Sequence, residues 1–267
     1  MTRRALFPGG IVVASAVTAA FLALPLVAIF TRVPLGTLVA QLGDDVVVDA
    51  LIVSAKTTAV AQALILLFGT PTAYLLATRR FRGRALAVTL VELPLVLPPA
   101  VAGIGLLAAF GRAGMLGSSL DVLGWQIPFT QAAVVLAVAF VASPLYIRQA
   151  IAAFEGVDRT LVDASRTLGA SEGRTFARVM LPLAGSGLAA GAALAFARGL
   201  GEFGATIMFA GSLQGRTQTI PLAIYAEFDS SFETALAIGG LLVVVSAVLL
   251  LTLKLRPRWK SSASTSQ

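Results

Sequence analysis

The sequence predicts an all-α membrane protein with six transmembrane helices and one cytoplasmic helical loop. Hydrophobic residues make up 57% of the 267 residues and charged residues only 12%, whereas a soluble domain usually carries about a quarter charged residues. Six stretches each reach the roughly 20 apolar residues that cross a hydrocarbon core as a helix. None of them shows the alternation of apolar and polar residues that a membrane β-barrel requires.

The expected spans follow one another with short connections, except for a longer loop at residues 152–182. We expect a cytoplasmic segment at residues 1–10, a transmembrane domain at residues 11–254 and a cytoplasmic polar tail at residues 255–267. The first span is longer than the apolar region of a secretory signal, so we assign it to the domain. The six spans are predicted at residues 11–30, 50–77, 85–110, 131–151, 183–210 and 235–253.

The basic residues give the orientation of these spans. Fifteen of the twenty Lys and Arg residues flank the spans on one side, and three lie on the other side. Because Lys and Arg near span ends are retained in the cytoplasm, both termini and the 152–182 loop are predicted to be cytoplasmic. The basic residues form no single stripe with interleaved aromatics, so the expected partner is membrane lipid and not nucleic acid.

Several classes of chemistry are excluded by composition. The chain has no cysteine and no histidine, which removes thiolate and imidazole metal ligands and every triad with an imidazole base. None of its three lysines follows a glycine, so no Walker A sequence is present. Gly199, Gly201 and Gly204 spell a dinucleotide fingerprint, but no strand precedes them, and we expect close helix packing or a local break instead. We therefore predict that the chain is not an enzyme, binds no metal or cofactor itself, and has no catalytic residue.

The 152–182 loop carries the clearest local signals. Asp158 is placed to cap a short helix that Gly169 ends in a left-handed conformation. Ser171 is placed to cap a second short helix that ends at Pro182. The apolar strip of this element is too small to form a core of its own. Either a partner protein covers it, or it lies on lipid headgroups as an amphipathic helix.

The same loop contains a spaced motif. A run of three residues is followed by a glycine, an aliphatic residue and a Leu-Pro pair, with gaps of three, nine and one residues between these parts. The motif residues are Asp163, Ala164, Ser165, Gly169, Val179, Leu181 and Pro182. This motif resembles the EAA loop of importer-type ABC transporter permeases, with Asp for Glu, Ser for the second Ala and Val for Ile. The resemblance implies that these residues couple the chain to an ATPase, as a coupling helix that docks on a cytoplasmic subunit.

Three further stretches point to one group within these permeases. The stretch LPLVLPPAVAGIGLL begins at Leu93, ARGLGEFGATIMFAG begins at Ala197, and GRTQTIPLAIY begins at Gly215. They are similar to permease subunits of molybdate transporters, and sulfate permeases share a related GEFG segment. The resemblance implies import of an oxyanion, foremost molybdate, by alternating access. The alternatives are a sulfate, thiosulfate or tungstate permease, or a gradient-driven secondary transporter, although the chain shows no internal repeat of that class.

The resemblance also implies a set of partners. The fold is expected to be that of a type I ABC importer permease in a bacterial cytoplasmic membrane. A second copy of the chain and two cytoplasmic ABC ATPase subunits complete the transporter, and ATP and Mg²⁺ are bound by the ATPase. A periplasmic or lipid-anchored oxyanion-binding protein delivers the anion at residues 212–232.

A candidate pathway follows from interrupted helices. Prolines remove backbone donors and should kink or break the third span, and broken helices at membrane depth commonly line a cavity. Glu202 is expected to pair with Arg198 or with a backbone donor, since a bare carboxylate would repel an oxyanion. Simple packing kinks remain the alternative. The pathway and gate candidates are Pro94, Pro98, Pro99, Glu202, Gly204 and Thr206.

Overall fold

The computed structural model describes residues 3–41 and 43–255, and the predicted tail lies outside the described residues except for its first residue. Within these ranges the regular structure is helical throughout, with no strand. A π-helical turn lies at Phe176–Met180. The helices are α1 Arg3–Arg32, α2 Leu35–Gln41, α3 Asp45–Thr78, α4 Arg84–Val96, α5 Pro99–Phe110, α6 Gly117–Val122, α7 Gln131–Glu155, α8 Arg159–Thr167, α9 Glu172–Thr175, α10 Leu181–Leu200, α11 Gly204–Ala210, α12 Ile220–Phe228 and α13 Phe232–Leu255.

Four helices in the described ranges are long and apolar enough to cross a membrane. They are Gly10–Arg32 within α1, α3, α7 and the continuous helix Glu172–Leu200. Helices α4 and α5 make a fifth span only if the bent pair counts as one crossing, and the apolar stretch Phe232–Val248 of α13 is shorter. The chain is therefore a helical, multi-pass membrane protein. Helix α1 begins at Arg3, ahead of the expected span start.

Helix α7 lies at the centre of the bundle. Its buried residues join α5 and α11 in one apolar cluster and α3 and α10 in a second one nearer Glu155. Small residues allow the helices to approach closely. A Cβ at Gly187 of α10 would lie 2.5 Å from Ala153 Cβ, and one at Gly191 would lie 2.9 Å from Gln149 Cβ. Gly187 and Gly191, spaced as G-x-x-x-G, therefore pack directly against α7.

The third expected span, residues 85–110, is not one straight helix. Helix α4 ends at Val96, α5 begins at Pro99, and the chain bends by 115° between them. Leu97 and Pro98 both have ψ of 133°, outside the helical range. A residue before proline is disfavoured in the helical conformation, so Leu97 and Pro98 each stop the helix because a proline follows. The predicted interruption at the prolines is confirmed.

The fifth expected span differs at both ends. A break at Gly201–Phe203 separates α10 from α11, so residues 183–210 are not one helix. The second short helix does not end at Pro182, because it continues into α10 through the π-helical turn. There the Leu181 N–H donates to the Phe176 carbonyl, five residues back. This wider turn places Pro182, which has no N–H to donate, in the first turn of α10, where proline is tolerated.

Candidate functional site

Local hydrogen bonds hold helix α8 at both ends. The Asp158 carboxylate accepts a hydrogen bond of 2.9 Å from the Thr160 backbone N–H, and this bond lowers the pKa of Asp158 from its ordinary value of 3.8. At the other end Gly169 has φ of +79°. The N–H groups of Gly169 and Ala170 donate to carbonyls in the last turn at 2.9 and 3.1 Å. These two bonds form a Schellman cap, so the predicted caps at Asp158 and Gly169 are present.

One face of α8 exposes apolar side chains. Leu168, at the end of the helix, is 87% exposed and Leu161 is 48% exposed. Val162 instead packs with the buried cluster at the end of α7. The exposed Asp163 carboxylate lies 3.8 Å from the Arg166 guanidinium. Because exposed apolar area is unfavourable in water, α8 presents two leucines, flanked by charges, that a partner surface can cover.

Polar contacts fix the position of α8 relative to the helices behind it. Ser165 Oγ lies 3.1 Å from the buried Thr175 Oγ1, which joins α8 to the end of α9. Glu172 at the start of α9 accepts two hydrogen bonds, of 2.6 and 2.8 Å, from Arg79 Nη2 at the end of α3. The α8–α9 pair is therefore in direct contact with the end of α3.

An aromatic cluster lies beneath this loop. The ring of Tyr74 in α3 meets Phe176 in the π-helical turn edge-on, with centroids 4.7 Å apart, and meets Phe154 at the end of α7 at 5.6 Å. Phe154 and Phe176 are 6.2 Å apart. Aromatic pairs at these separations attract beyond their buried area. The cluster joins three elements at a single point.

Arg84 connects three helix ends at the same side of the bundle. Its Nε donates to the Leu76 carbonyl in the last turn of α3 at 2.6 Å. Its Nη2 donates to Glu155 Oε1 at the end of α7 at 2.7 Å. Since Arg84 is the first residue of α4, the positions of α3, α4 and α7 are linked through one side chain.

The seven motif residues lie along the continuous path from α8 to the start of α10. The path borders a groove of about 410 Å³, lined by residues that include Leu161 on α8 and Leu183 and Gly187 on α10. Ser165 and Val179 are half-buried, and the exposed motif residues are Asp163, Ala164, Gly169, Leu181 and Pro182. The structure therefore leaves five of the seven motif residues accessible and none of the seven in the groove itself.

The two broken spans meet at their breaks. A Cβ at Gly204, the first residue of α11, would lie 2.7 Å from Pro99 Cβ at the start of α5. A Cβ at Gly103 would lie 2.6 Å from the Ala205 carbonyl oxygen. Larger side chains cannot fit at either glycine without moving backbone. The first turns of α5 and α11 are therefore in direct contact.

Glu202 lies in the break between α10 and α11 and is only 2% exposed. Its Oε2 is 2.7 Å from Arg198 Nη1, and its Oε1 accepts a hydrogen bond of 2.8 Å from the Ala205 backbone N–H. The structure therefore contains both predicted partners, the arginine and a backbone donor. A carboxylate at a helix N-terminus is also favoured by the helix dipole.

The pathway candidates differ in accessibility. Pro98 and Pro99 are exposed, Pro94 is half-buried, and Thr206 is fully buried beside the core cluster of α5, α7 and α11. The structure therefore brings Pro99, Glu202 and Gly204 together at the two breaks and leaves Pro94 apart from them, within α4. Their part in a pathway stays a prediction.

A comparison with protein families matches most of the chain to one family. The model of the family described as binding-protein-dependent transport system inner membrane component matches residues 65–256. The chain belongs to this family. The match includes the α8–α10 path, both breaks and all of α13, so the family domain covers nearly three quarters of the chain.

Individual relatives agree with this assignment. Over 86% of its length the inner membrane component is 46% identical to the molybdenum transport system permease protein ModB of Mycobacterium tuberculosis, of which it covers 88%. It is 39% identical over 83% of its length to the probable transport system permease protein NifC of Clostridium pasteurianum, covering 78% of that protein.

Solved structures show the same fold. A bacterial ABC transporter that imports the acidic polysaccharide alginate superposes with a TM-score of 0.69 at 16% identity, covering 94% of this chain and 95% of that chain. The MetNI methionine ABC transporter superposes with a TM-score of 0.59 at 20% identity, covering 78% and 93%. The fold of this inner membrane component is therefore that of ABC importer membrane subunits.

Sequence reasoning missed the residues that brace the loop. The arginines between α3 and α4 were used only to orient the chain, although Arg79 and Arg84 are ion-paired to α9 and α7. Their partners, Glu172 and Glu155, are distant in sequence, so no local signal predicted these pairs. The close approach at Gly103 had no local signal, because it depends on how two distant helices pack.

Proposed function

We propose that this chain is the membrane-spanning subunit of an ATP-driven importer whose cargo is molybdate. The observation that carries the proposal is 46% identity over 86% of the chain to a protein named as a molybdenum transport system permease. The capped, braced helix α8 adds a geometric reason, because it exposes leucines on a rigid support.

The proposed topology has six spans. To the four helices that are long enough to cross a membrane, it adds the bent pair α4–α5 as one crossing and α13 as another, while α11 continues the crossing of α10. With the basic residues retained on the inner side, both termini and the α8–α10 path face the cytoplasm. Lys254 and the arginines from Arg79 to Arg84 then lie at the same membrane face.

In this topology α8 docks on a cytoplasmic ATPase subunit. Leu161 and Leu168 enter an apolar groove of the ATPase, and the charges around them set the orientation. ATP and Mg²⁺ are bound by the ATPase, and this chain only receives its motion. The tether from Ser165 to Thr175, the Arg79–Glu172 pair and the aromatic cluster pass that motion to α3 and α7.

The proposed assembly contains two copies of this chain and two ATPase subunits. A homodimer supplies the second coupling helix and encloses the pathway at the interface between the copies. An oxyanion-binding protein delivers molybdate to the outer side at residues 212–232, which include α12. The motion of α8 alternates the pathway between inward-facing and outward-facing states.

An energy source is required by the charge of the cargo. Moving a dianion into a negative interior costs about 2.3 kcal/mol per charge for each 100 mV. A passive pore would therefore let molybdate leak outward. Coupling through α8 makes ATP hydrolysis the energy source for molybdate import. The alternative is a gradient-driven transporter, and a reconstitution experiment distinguishes the two.

Reconstitution tests the proposed function. The chain is assembled with its ATPase in proteoliposomes, the binding protein is added outside, and uptake of labelled molybdate is followed with and without internal ATP. We expect uptake only with ATP and with the ATPase present, and weaker competition by sulfate than by unlabelled molybdate. Tungstate is added as a second competitor to rank the two group VI oxyanions. Uptake driven by an ion gradient in the chain alone would contradict the proposal.

A further inference from the structure

The Glu202 carboxylate is a bridge between two helices. It is buried at the α10–α11 break, where Oε2 forms an ion pair with the Arg198 guanidinium of α10 and Oε1 accepts a hydrogen bond from the Ala205 N–H of α11. A buried carboxylate is strongly unfavourable without such partners. Between the helices, at Gly201–Phe203, the backbone leaves the α-helical pattern, and the Glu202 N–H donates only three residues back, to the Gly199 carbonyl, at 3.1 Å. The carboxylate therefore sets where α11 starts.

The start of α11 in turn sets the position of α5. Gly204 and Ala205 lie against the first turn of α5, so closely that neither Gly204 nor Gly103 has room for a Cβ. Interfaces of this kind shift as units because no space is left for gradual adjustment. A movement of Ala205 therefore moves the helix that follows the 115° bend.

The pair is also asymmetric. The Glu202 side chain is 1% exposed, whereas the Arg198 side chain is 33% exposed. Arg198 can leave the pair toward the exposed side, while Glu202 keeps its bond to α11. The contact can therefore open from the α10 side without expelling a carboxylate from its site.

From these contacts we infer that Arg198 and Glu202 form a latch that keeps α11 against α5 and thereby keeps the translocation pathway closed to anions between transport cycles. Both are positioning residues, since they act through the packing of α5 and α11. The inference deepens the proposed function and rests on it, because the closed pathway is that of the proposed importer.

Anion leak is the first measurement. Proteoliposomes of the full transporter are loaded with labelled molybdate, and efflux without ATP is followed. We expect Arg198→Gln to raise efflux at least fivefold, because it breaks the pair, and Arg198→Lys to stay within twofold of the unsubstituted protein. The double variant Arg198→Gln with Glu202→Gln also lacks the pair and should leak as much as the single variant. Arg148→Gln, which breaks the exposed pair with Glu92, is the matched control and should not leak.

Thiol labelling separates this inference from the proposed function. The chain has no cysteine, so Ala102→Cys introduces a single thiol in the buried cluster that also contains Ala205. A water-soluble maleimide should label it several-fold faster with Arg198→Gln than without, and a control thiol at the exposed Ala113 should react equally in both. This labelling needs no molybdate or ATP, so it tests the contact between α5 and α11 even if reconstitution fails to show molybdate uptake.

Two results would overturn the latch. One is unchanged labelling at position 102 and unchanged efflux in Arg198→Gln. The other is a double variant that no longer leaks, because the leak of Arg198→Gln would then come from an unpaired buried charge and not from loss of the pair. If Arg198→Gln does not assemble, the double variant and Arg198→Lys still give both measurements.

Discussion

Gly169 is the residue on which the end of α8 depends. Its φ of +79° lies in the left-handed region, and a Cβ there would meet no atom within 4 Å, so the requirement is conformational and not steric. An L side chain in this region costs roughly 1–2 kcal/mol. We expect Gly169→Val to lower molybdate uptake about fivefold, the factor that 1 kcal/mol represents, while the ATPase still hydrolyses ATP.

The control for this prediction is Gly173→Ala, four residues away. Gly173 also has open space around it and does not have a positive φ, so alanine there should leave uptake and ATP hydrolysis unchanged. The ratio of ATP hydrolysed to molybdate transported is the quantity to compare. Equal ratios for the two variants would contradict a role of the Gly169 conformation in coupling.

Asp158 makes the start of α8 sensitive to acid. Its pKa is lowered by the hydrogen bond from the Thr160 N–H, so the cap stabilises α8 fully above the unfolded pKa near 3.8 and loses that contribution as pH falls through the lower folded value. Hydrogen exchange of the segment 158–168 should accelerate below that pH in the unsubstituted chain. Asp158→Asn should remove the pH dependence and keep protection, whereas Asp158→Ala should lose protection at neutral pH too.

At the scale of helices, the contact between α5 and α11 gives a clear contrast between two glycines of α5. A Cβ at Gly103 would lie 2.6 Å from the Ala205 carbonyl, whereas a Cβ at Gly105 would meet nothing within 4 Å. Overpacking typically costs 1–3 kcal/mol, while alanine in an open helix position gains roughly 0.5–1 kcal/mol over glycine. We expect Gly103→Ala to lower the thermal midpoint in detergent and Gly105→Ala to leave it unchanged or raise it. A midpoint lowered equally by both would show that α5 and α11 are not packed this way.

The brace between α3 and α9 is a second prediction at this scale. Arg79 and Glu172 are more than half exposed, so the pair should contribute at most about 1 kcal/mol. In a double-mutant cycle of thermal stability, Arg79→Glu and Glu172→Arg should each destabilise, and the exchanged pair should recover most of the loss. Additive losses in the exchanged pair would mean that the two side chains do not interact.

At the scale of the whole molecule, the sequence predicted local features as well as the approximate bounds of the spans. The caps at Asp158 and Gly169, the interruption at Pro98 and the pairing of Glu202 all follow from local chemistry, and all are present. These features depend on a few neighbouring residues, which the sequence places beside each other. The family resemblance also followed from local motifs, because the motif at residues 163–182 keeps the family's spacing although three of its residues differ.

The features that the sequence did not predict depend on contacts between residues more than one helix turn apart. The prolines and glycines predicted breaks between α4 and α5 and between α10 and α11, but no local signal gives the 115° change of direction between α4 and α5. The continuation of the helix through Pro182 depends on a π-helical turn whose extra residue no composition rule signals. The braces at Arg79 and Arg84 and the contact at Gly103 are set by residues distant in sequence, so they became visible only in the assembled bundle.

The central claim is that α8 meets the ATPase on the cytoplasmic side, and site-specific photo-crosslinking tests it most directly. A photoreactive amino acid is placed at Leu168 or, as a control, at Val122, which are 87% and 88% exposed and are expected on opposite membrane faces. In membranes that contain the whole transporter, we expect Leu168 to capture the ATPase subunit and Val122 not to capture it. Capture of the ATPase from Val122, with none from Leu168, would contradict the account.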